Sequence, residues 1–340
     1  MTTLPSKQAP TSTPPAKPGT KARASWIIPA ERYGLIVVWF AMAALFCALR
    51  PSTFATWANL STILGSQAIL VIVALGVIIS LTANDFDLSI ANSLTLSSVT
   101  VAILNVNLGL PLSVSVLVAI ALGALVGFIN GFFIIVFRIH SLIVTLGVGT
   151  VLHGVGLWIS DSQTISGIDP VLSNMVIVHR IFGIPVVFYY ALLLAALVWY
   201  VFEFTALGRR VLFVGRGREV ARLSGIHTDR VRWICLICSG VFGSLAGVLY
   251  AGTQGAADPV SGDSYLLPAL AAAFLGSTSI VPGRFNPWGT TIAVYFLVTG
   301  ITGLIFLGFG SFIQDMFYGG ALVLAVTLSQ LVRGRQEQSF

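Results

Sequence analysis

From residue 33 onward the chain is a succession of ten mostly apolar stretches, each near the length of a bilayer crossing. They are Tyr33–Leu49, Ile63–Thr82, Leu88–Leu104, Leu110–Phe137, Leu142–Ile159, Pro185–Phe202, Trp233–Ala251, Tyr265–Ile280, Trp288–Leu307 and Phe312–Leu331. A helix needs about 20 predominantly apolar residues to cross the hydrocarbon layer. The third and eighth stretches are short and rich in small or hydroxyl residues, the pattern of spans buried among other helices or broken. Charged residues make up only 9% of the chain, against about 25% in soluble domains, and the mean hydropathy is +0.94. The expected fold is therefore all-α, a polytopic integral membrane protein with about ten transmembrane helices, and the lipid bilayer is its first partner.

The positive charge is placed as topology requires. Seven of the 18 Lys+Arg residues lie in Thr205–Arg232: Arg209, Arg210, Arg216, Arg218, Arg222, Arg230 and Arg232. One Arg at the centre of a span costs about 2.5–3.5 kcal/mol on insertion scales, so this stretch is a loop. With ten spans and the N-terminus inside, sixteen Lys+Arg fall on one face and only Arg50 and Arg180 on the other. That asymmetry predicts cytoplasmic termini and an even number of spans. Topology thus accounts for the net charge of +6, which gives no sign of a nucleic-acid partner. The expected organisation is a disordered, Pro- and Thr-rich tail over 1–32, a membrane domain over 33–332 with a charged loop at 205–232, and a short tail over 333–340. The first tail is too long and too Pro-broken to resemble a cleaved signal peptide.

Several chemistries find no support. A phosphate-binding P-loop needs a lysine after a glycine-rich turn, and the only lysines are Lys7, Lys17 and Lys21. His140, His153, His179 and His227 have no metal-ligand spacing. Cys235 and Cys238 form a C-x-x-C in an apolar run, without the second pair of ligands a metal site needs, and read as small buried helix residues. Intramembrane carboxylates usually mark ion-coupled pumps. Here no acid sits in the middle of a confident span; Asp85 and Asp87 lie between the second and third. Gly123, Gly127 and Gly131, and again Gly243 and Gly247, recur every four residues. Such stripes let another backbone approach closely, and packing within one subunit is the simpler use.

Two polar interruptions remain. In Thr82–Asn92, TANDFDLSIAN, Asp87 either caps the third span or belongs to a broken helix beside a water-lined path. In the charged loop, Arg218–Gly225 (REVARLSG) reads as a short helix. Glu219 suits its positive end and Gly225 the position just past its last turn. Val220 and Leu223 share a face. So short a helix is marginal alone and needs a surface, either its own membrane helices or a cytoplasmic partner.

At these residues the chain resembles the permease subunits of ribose-type ABC sugar importers, in the broader family shared with branched-chain amino-acid importer permeases. The resemblance runs from about residue 59 to 330. REVARLSGI is similar to the family's N-E-x-A-A-R-L-S-G-I, with Arg218 for the usual Asn. FDLSIANSL is similar to G-G-I-D-L-S-V-G-S, with Asn84-Asp85 in place of the doubled glycine that precedes the D-L-S element. SLIVTLGVGTVLHG and SGDSYLLPALAAAFLGSTSI resemble two further family segments in the same order. In the last, Leu266 and Pro268 stand where the family has Glu and Asp. The resemblance implies that Glu219, Val220, Ala221, Arg222, Leu223, Ser224 and Gly225 couple to a separate ABC ATPase subunit. ATP and Mg would then be bound on that partner and no cofactor in this chain. It also implies a periplasmic or extracellular solute-binding protein, a second permease subunit, a location in the bacterial cytoplasmic membrane, and a small sugar or polyol as solute. Asp87, Asn92 and Thr145 are the expected contributors to the pathway or its helix ends. The rival readings are a branched-chain amino-acid importer permease, an ion-coupled carrier and a membrane scaffold.

Overall fold

The computed structural model of the protein describes residues 27–337. Most of the expected N-terminal tail, and the end of the C-terminal one, lie outside the described residues. The last residues assigned to the first tail are helical, because α1 (Ile27–Leu49) begins ahead of the apolar run. Pro29 falls in its first turn, where the missing N–H costs no helical hydrogen bond.

After α1 come α2 (Trp57–Ser66), α3 (Ala68–Thr82), α4 (Ile90–Ala102), α5 (Leu112–Val136), α6 (Ser141–Ile159), α7 (Pro170–Ser173), α8 (Val186–Phe204), α9 (Ala206–Arg216), α10 (Arg218–Leu223), α11 (Thr228–Gln254), α12 (Asp263–Gly276), α13 (Pro287–Phe306) and α14 (Phe312–Glu337). Among the described residues, nine helical stretches are long and apolar enough to cross a membrane, with α2 and α3 forming one of them. They coincide with nine of the ten expected stretches. The remaining one, α12, has 14 residues, about 21 Å of helix against a hydrocarbon layer of ~30 Å. Its ends are completed by irregular chain. Gly262 N–H donates to Thr95 Oγ1 of α4 at 2.8 Å. Beyond the helix, Asn286 Nδ2 donates to the carbonyls of Gly276 and Ser279 while its Oδ1 accepts from Gly289 N–H at 2.7 Å. One side chain thus caps the end of α12 and the start of α13. The protein is a polytopic, all-α membrane protein. The strands are two-residue pairs, β1 (Ile165–Ser166) with β4 (Ala256–Ala257), and β2 (Arg180–Ile181) with β3 (Ile184–Pro185). The first ties the long 160–185 connection to the loop after α11, and the second is a hairpin within that connection.

The centre of the molecule is α3, every residue of which is buried. A helix that is apolar on all faces belongs inside a bundle or in lipid, and small residues on α11 decide for the bundle. α11 packs against α3, α4 and α5 together. A Cβ on Gly123 would strike the Gly240 carbonyl, and one on Gly127 the Leu236 carbonyl. A Cβ on Gly243 or Gly247 would strike the carbonyl of Ile90 or Leu94. Both glycine stripes are therefore consumed inside the subunit, the first against α11 and the second against α4, where close backbone approach maximises dispersion contacts. Cys235 is buried on the same helix and Cys238 half-buried.

Candidate functional site

The segment between α3 and α4, residues 83–89, is not helical. Asn84 has φ +60°, a left-handed turn that Asn tolerates better than most residues. The chain then runs extended along α11. Asp85 lies on Arg232, whereas the Ile90 carbonyl lies on Gly243. Those two α11 positions are about 16 Å apart along the helix axis, and five extended residues span about the same distance. The segment therefore runs about 16 Å beside α11 without helical hydrogen bonds. The hydropathy profile placed this junction between two spans, and the structure packs it, largely buried, against α6 and α11.

Buried backbone outside a helix needs other hydrogen-bond partners, and α6 supplies them. Ser141 Oγ accepts from Phe86 N–H at 3.1 Å, and Thr145 Oγ1 accepts from Leu88 N–H at 3.1 Å. Positions i and i+4 of a helix are about 6 Å apart along its axis. Alternate residues of a strand are about 6.6 Å apart. One helix face therefore matches one edge of the extended chain. Asp87 Oδ1 accepts from Ser89 N–H at 3.1 Å and from Ser89 Oγ at 2.6 Å, and Asn130 Nδ2 donates to Ser89 Oγ at 2.8 Å. Asp87 thus holds Ser89, the residue from which α4 starts. Around it, Asp87 faces the Ser239 hydroxyl of α11, and Asn92 Oδ1, Ser93 Oγ and Asn130 Oδ1 are buried without a hydrogen-bond partner. Together these groups form a polar centre inside an apolar bundle.

The N-terminal end of this segment meets the arginine-rich loop. That loop is not one piece. α9 is an amphipathic helix started by Thr205, whose Oγ1 accepts from Gly208 N–H at 3.2 Å. It buries Gly208, Val211 and Val214 and leaves Arg209, Arg210 and Arg216 exposed. Periodicity through those arginines was its signal, overlooked because they read as loop. α10 follows and ends in a Schellman cap. Ile226 N–H donates to the Ala221 carbonyl and Gly225 N–H to that of Arg222, both at 3.0 Å, with Gly225 at φ +81°. Ala221 is buried beneath it, while Val220 and Leu223 are 60% and 88% exposed. Glu219, Arg222, Ser224 and Gly225 are exposed as well.

Two loop arginines turn inward to Asp85, whose side chain is 2% exposed. Arg232 grips both carboxylate oxygens, Nε to Oδ2 at 2.7 Å and an NH2 nitrogen to Oδ1 at 2.8 Å. Arg218, the first residue of α10, reaches Oδ1 at 2.9 Å and the Asn84 carbonyl at 2.7 Å. Beside them opens a cavity of about 590 Å³ lined by Asp85, Phe86, Arg138, His140, Ser141, Arg218, Arg222, Asp229 and Arg232. Elsewhere, Arg284 pairs with Glu203 at the end of α8 at 2.9 Å, and Ile280 N–H bonds the Arg32 carbonyl of α1.

A family model described as the permease component of branched-chain amino acid transport systems matches residues 59–326. The chain belongs to this permease family. The D-allose transport system permease protein of Escherichia coli (strain K12) is 28% identical over 302 residues, covering 89% of this chain and 92% of its own length. The ribose import permease protein of Bacillus subtilis (strain 168) is 31% identical over 301 residues, covering 88% and 93%. The galactose/methyl galactoside import permease protein of Salmonella typhimurium is 29% identical over 321 residues, covering 89% and 95%. No solved structure matches. In this permease the segment 83–89, α6, α9, α10 and α11 all fall inside the matched region. Of the expected site residues, Asp87 and Thr145 are buried against that segment. Asn92 stands one turn into α4, with its Nδ2 against Gly149 of α6, and Glu219–Gly225 stand apart from them on the arginine-rich face. Asp85, Ser141, Asn130 and Arg232 join the site from outside the expected set.

Proposed function

We propose that this permease forms the membrane pathway of an ATP-driven importer of a small sugar or related polyol. A separate ATPase subunit binds ATP and Mg, and a binding protein outside the membrane delivers the solute. The observation that carries the reading is α10. Its Schellman cap fixes it in place, yet its two apolar side chains, Val220 and Leu223, are left uncovered by the chain's own helices. Such a helix on the arginine-rich face suits docking into a hydrophobic groove. The positive-inside rule puts that face in the cytoplasm, where an ATPase resides. Residues Glu219 to Gly225 are the coupling surface, and the transporter is completed by a second permease subunit. Asp87 and Thr145 act by holding the segment 83–89, and Asn92 faces the junction of α4 with α6.

Sugar is favoured by the printed names of the relatives, an allose, a ribose and a galactose permease. The description of the family model favours a branched-chain amino acid instead. Ligand-induced stabilisation of the cognate binding protein separates the two. The proposal expects its melting temperature to rise with a pentose, hexose or polyol and not with leucine, isoleucine or valine. The reverse pattern overturns the sugar assignment.

A further inference from the structure

Asp85 is neutralised twice. Arg232 already bonds both of its oxygens, so Arg218 is not needed to offset the buried charge. Yet Arg218 bonds both the carboxylate and the Asn84 carbonyl, gripping the segment 83–89 by side chain and backbone at once. The two cations differ in surroundings. The Arg232 side chain is 11% exposed and that of Arg218 40%. Arg218, the more exposed of the two, is the one that water can reach on release of Asp85, while Arg232 stays and keeps the carboxylate paired. Charge-assisted bonds of this kind are among the stronger ones in proteins, and here one of them can be made and released without leaving a buried charge alone. Arg218 and Asp85 are also two positions at which the chain departs from the motifs it resembles. The departures are therefore the two ends of one contact.

We infer that the Arg218–Asp85 bond is the link by which α10 moves the segment 83–89. Arg218 is a positioning residue: displacement of α10 pulls on Asn84 and Asp85, and through the extended chain on Asp87 and the start of α4. Arg232 is the fixed post against which that bond opens and closes. The inference rests on the docking of α10 proposed above.

The test uses the complete transporter in proteoliposomes, with its ATPase and binding protein, and D-ribose, D-allose and D-galactose as probes. Two quantities are read: sugar moved per ATP hydrolysed, and the fraction of ATP hydrolysis that depends on the binding protein. Arg218→Met leaves Asp85 paired with Arg232, so the subunit assembles. It is expected to lower the sugar-to-ATP ratio at least fivefold and to make most hydrolysis independent of the binding protein. Arg218→Lys, which retains the charge, is expected to restore more than half of both. A merely structural residue would lower the melting temperature and both rates together and leave their ratio unchanged. An unchanged ratio in Arg218→Met, with sugar uptake by the wild type intact, overturns the link alone. Absence of ATP-driven uptake by the wild type overturns the importer reading, and the link with it.

Discussion

Leu223→Asp separates docking from folding. Leu223 is 88% exposed and lies past the buried contact of α10 at Ala221, so the substitution removes almost nothing from the subunit itself. Surface changes of this kind stay within about 0.5 kcal/mol. In a docked complex the same side chain is covered. Losing a buried leucine costs about 1.5–3 kcal/mol, and an unpaired carboxylate in the same groove adds a desolvation penalty of several kcal/mol. The sum is at least ~4 kcal/mol, which at about 1.4 kcal/mol per tenfold change weakens docking by roughly a thousandfold. The assay is twofold. The detergent-solubilised permease is melted alone, and the ATPase is titrated onto it in nanodiscs. The expected outcome is an unchanged melting temperature with loss of ATPase binding and of ATP-driven uptake. Normal uptake by the variant, or loss of binding accompanied by an unfolded permease, would refute the reasoning.

Three further outcomes test the fold around the site. Thr145→Val keeps the shape of the side chain but strips Leu88 N–H of its acceptor; a buried orphan of this kind costs about 1–3 kcal/mol, seen as a lower melting temperature, whereas Thr145→Ser retains most of the stability. Gly127→Leu drives a side chain into the Leu236 carbonyl of α11, and folded protein is expected to be lost, measured as the monodisperse fraction in size-exclusion chromatography. Asn286→Ala removes the cap shared by α12 and α13; cap losses run about 0.5–2 kcal/mol, and protease nicking within residues 277–286 is expected to rise, with Asn286→Asp, which keeps the acceptor for Gly289, nicked less.

Local signals were legible in the chain and longer-range ones were not. The apolar stretches and the cap at Gly225 depend on residues within a turn or two of each other, and the helices form where those residues stand. The glycine stripes announced close packing but not its partners, since spacing on one helix says nothing about which backbone approaches it. The burial of the segment 83–89 was hidden because hydropathy treats TANDFD as the end of a span, whereas Ser141 and Thr145 of α6 supply acceptors that make the same residues tolerable inside the bundle. The clamp on Asp85 joins residues 133 and 147 positions apart, beyond the reach of any periodicity. Its one trace in the sequence was a pair of departures from two familiar motifs, at Asn84-Asp85 and at Arg218, which stood unconnected until the fold placed them against each other.

The central claim is that this permease moves its solute with energy delivered from outside the chain through α10. Solute accumulation in proteoliposomes, measured with the permease alone and then with its ATPase and binding protein, tests it directly. The account predicts accumulation only when both partners and ATP are present, and none with a proton or sodium gradient across vesicles holding the permease alone. Accumulation driven by an ion gradient in the absence of the ATPase would contradict it.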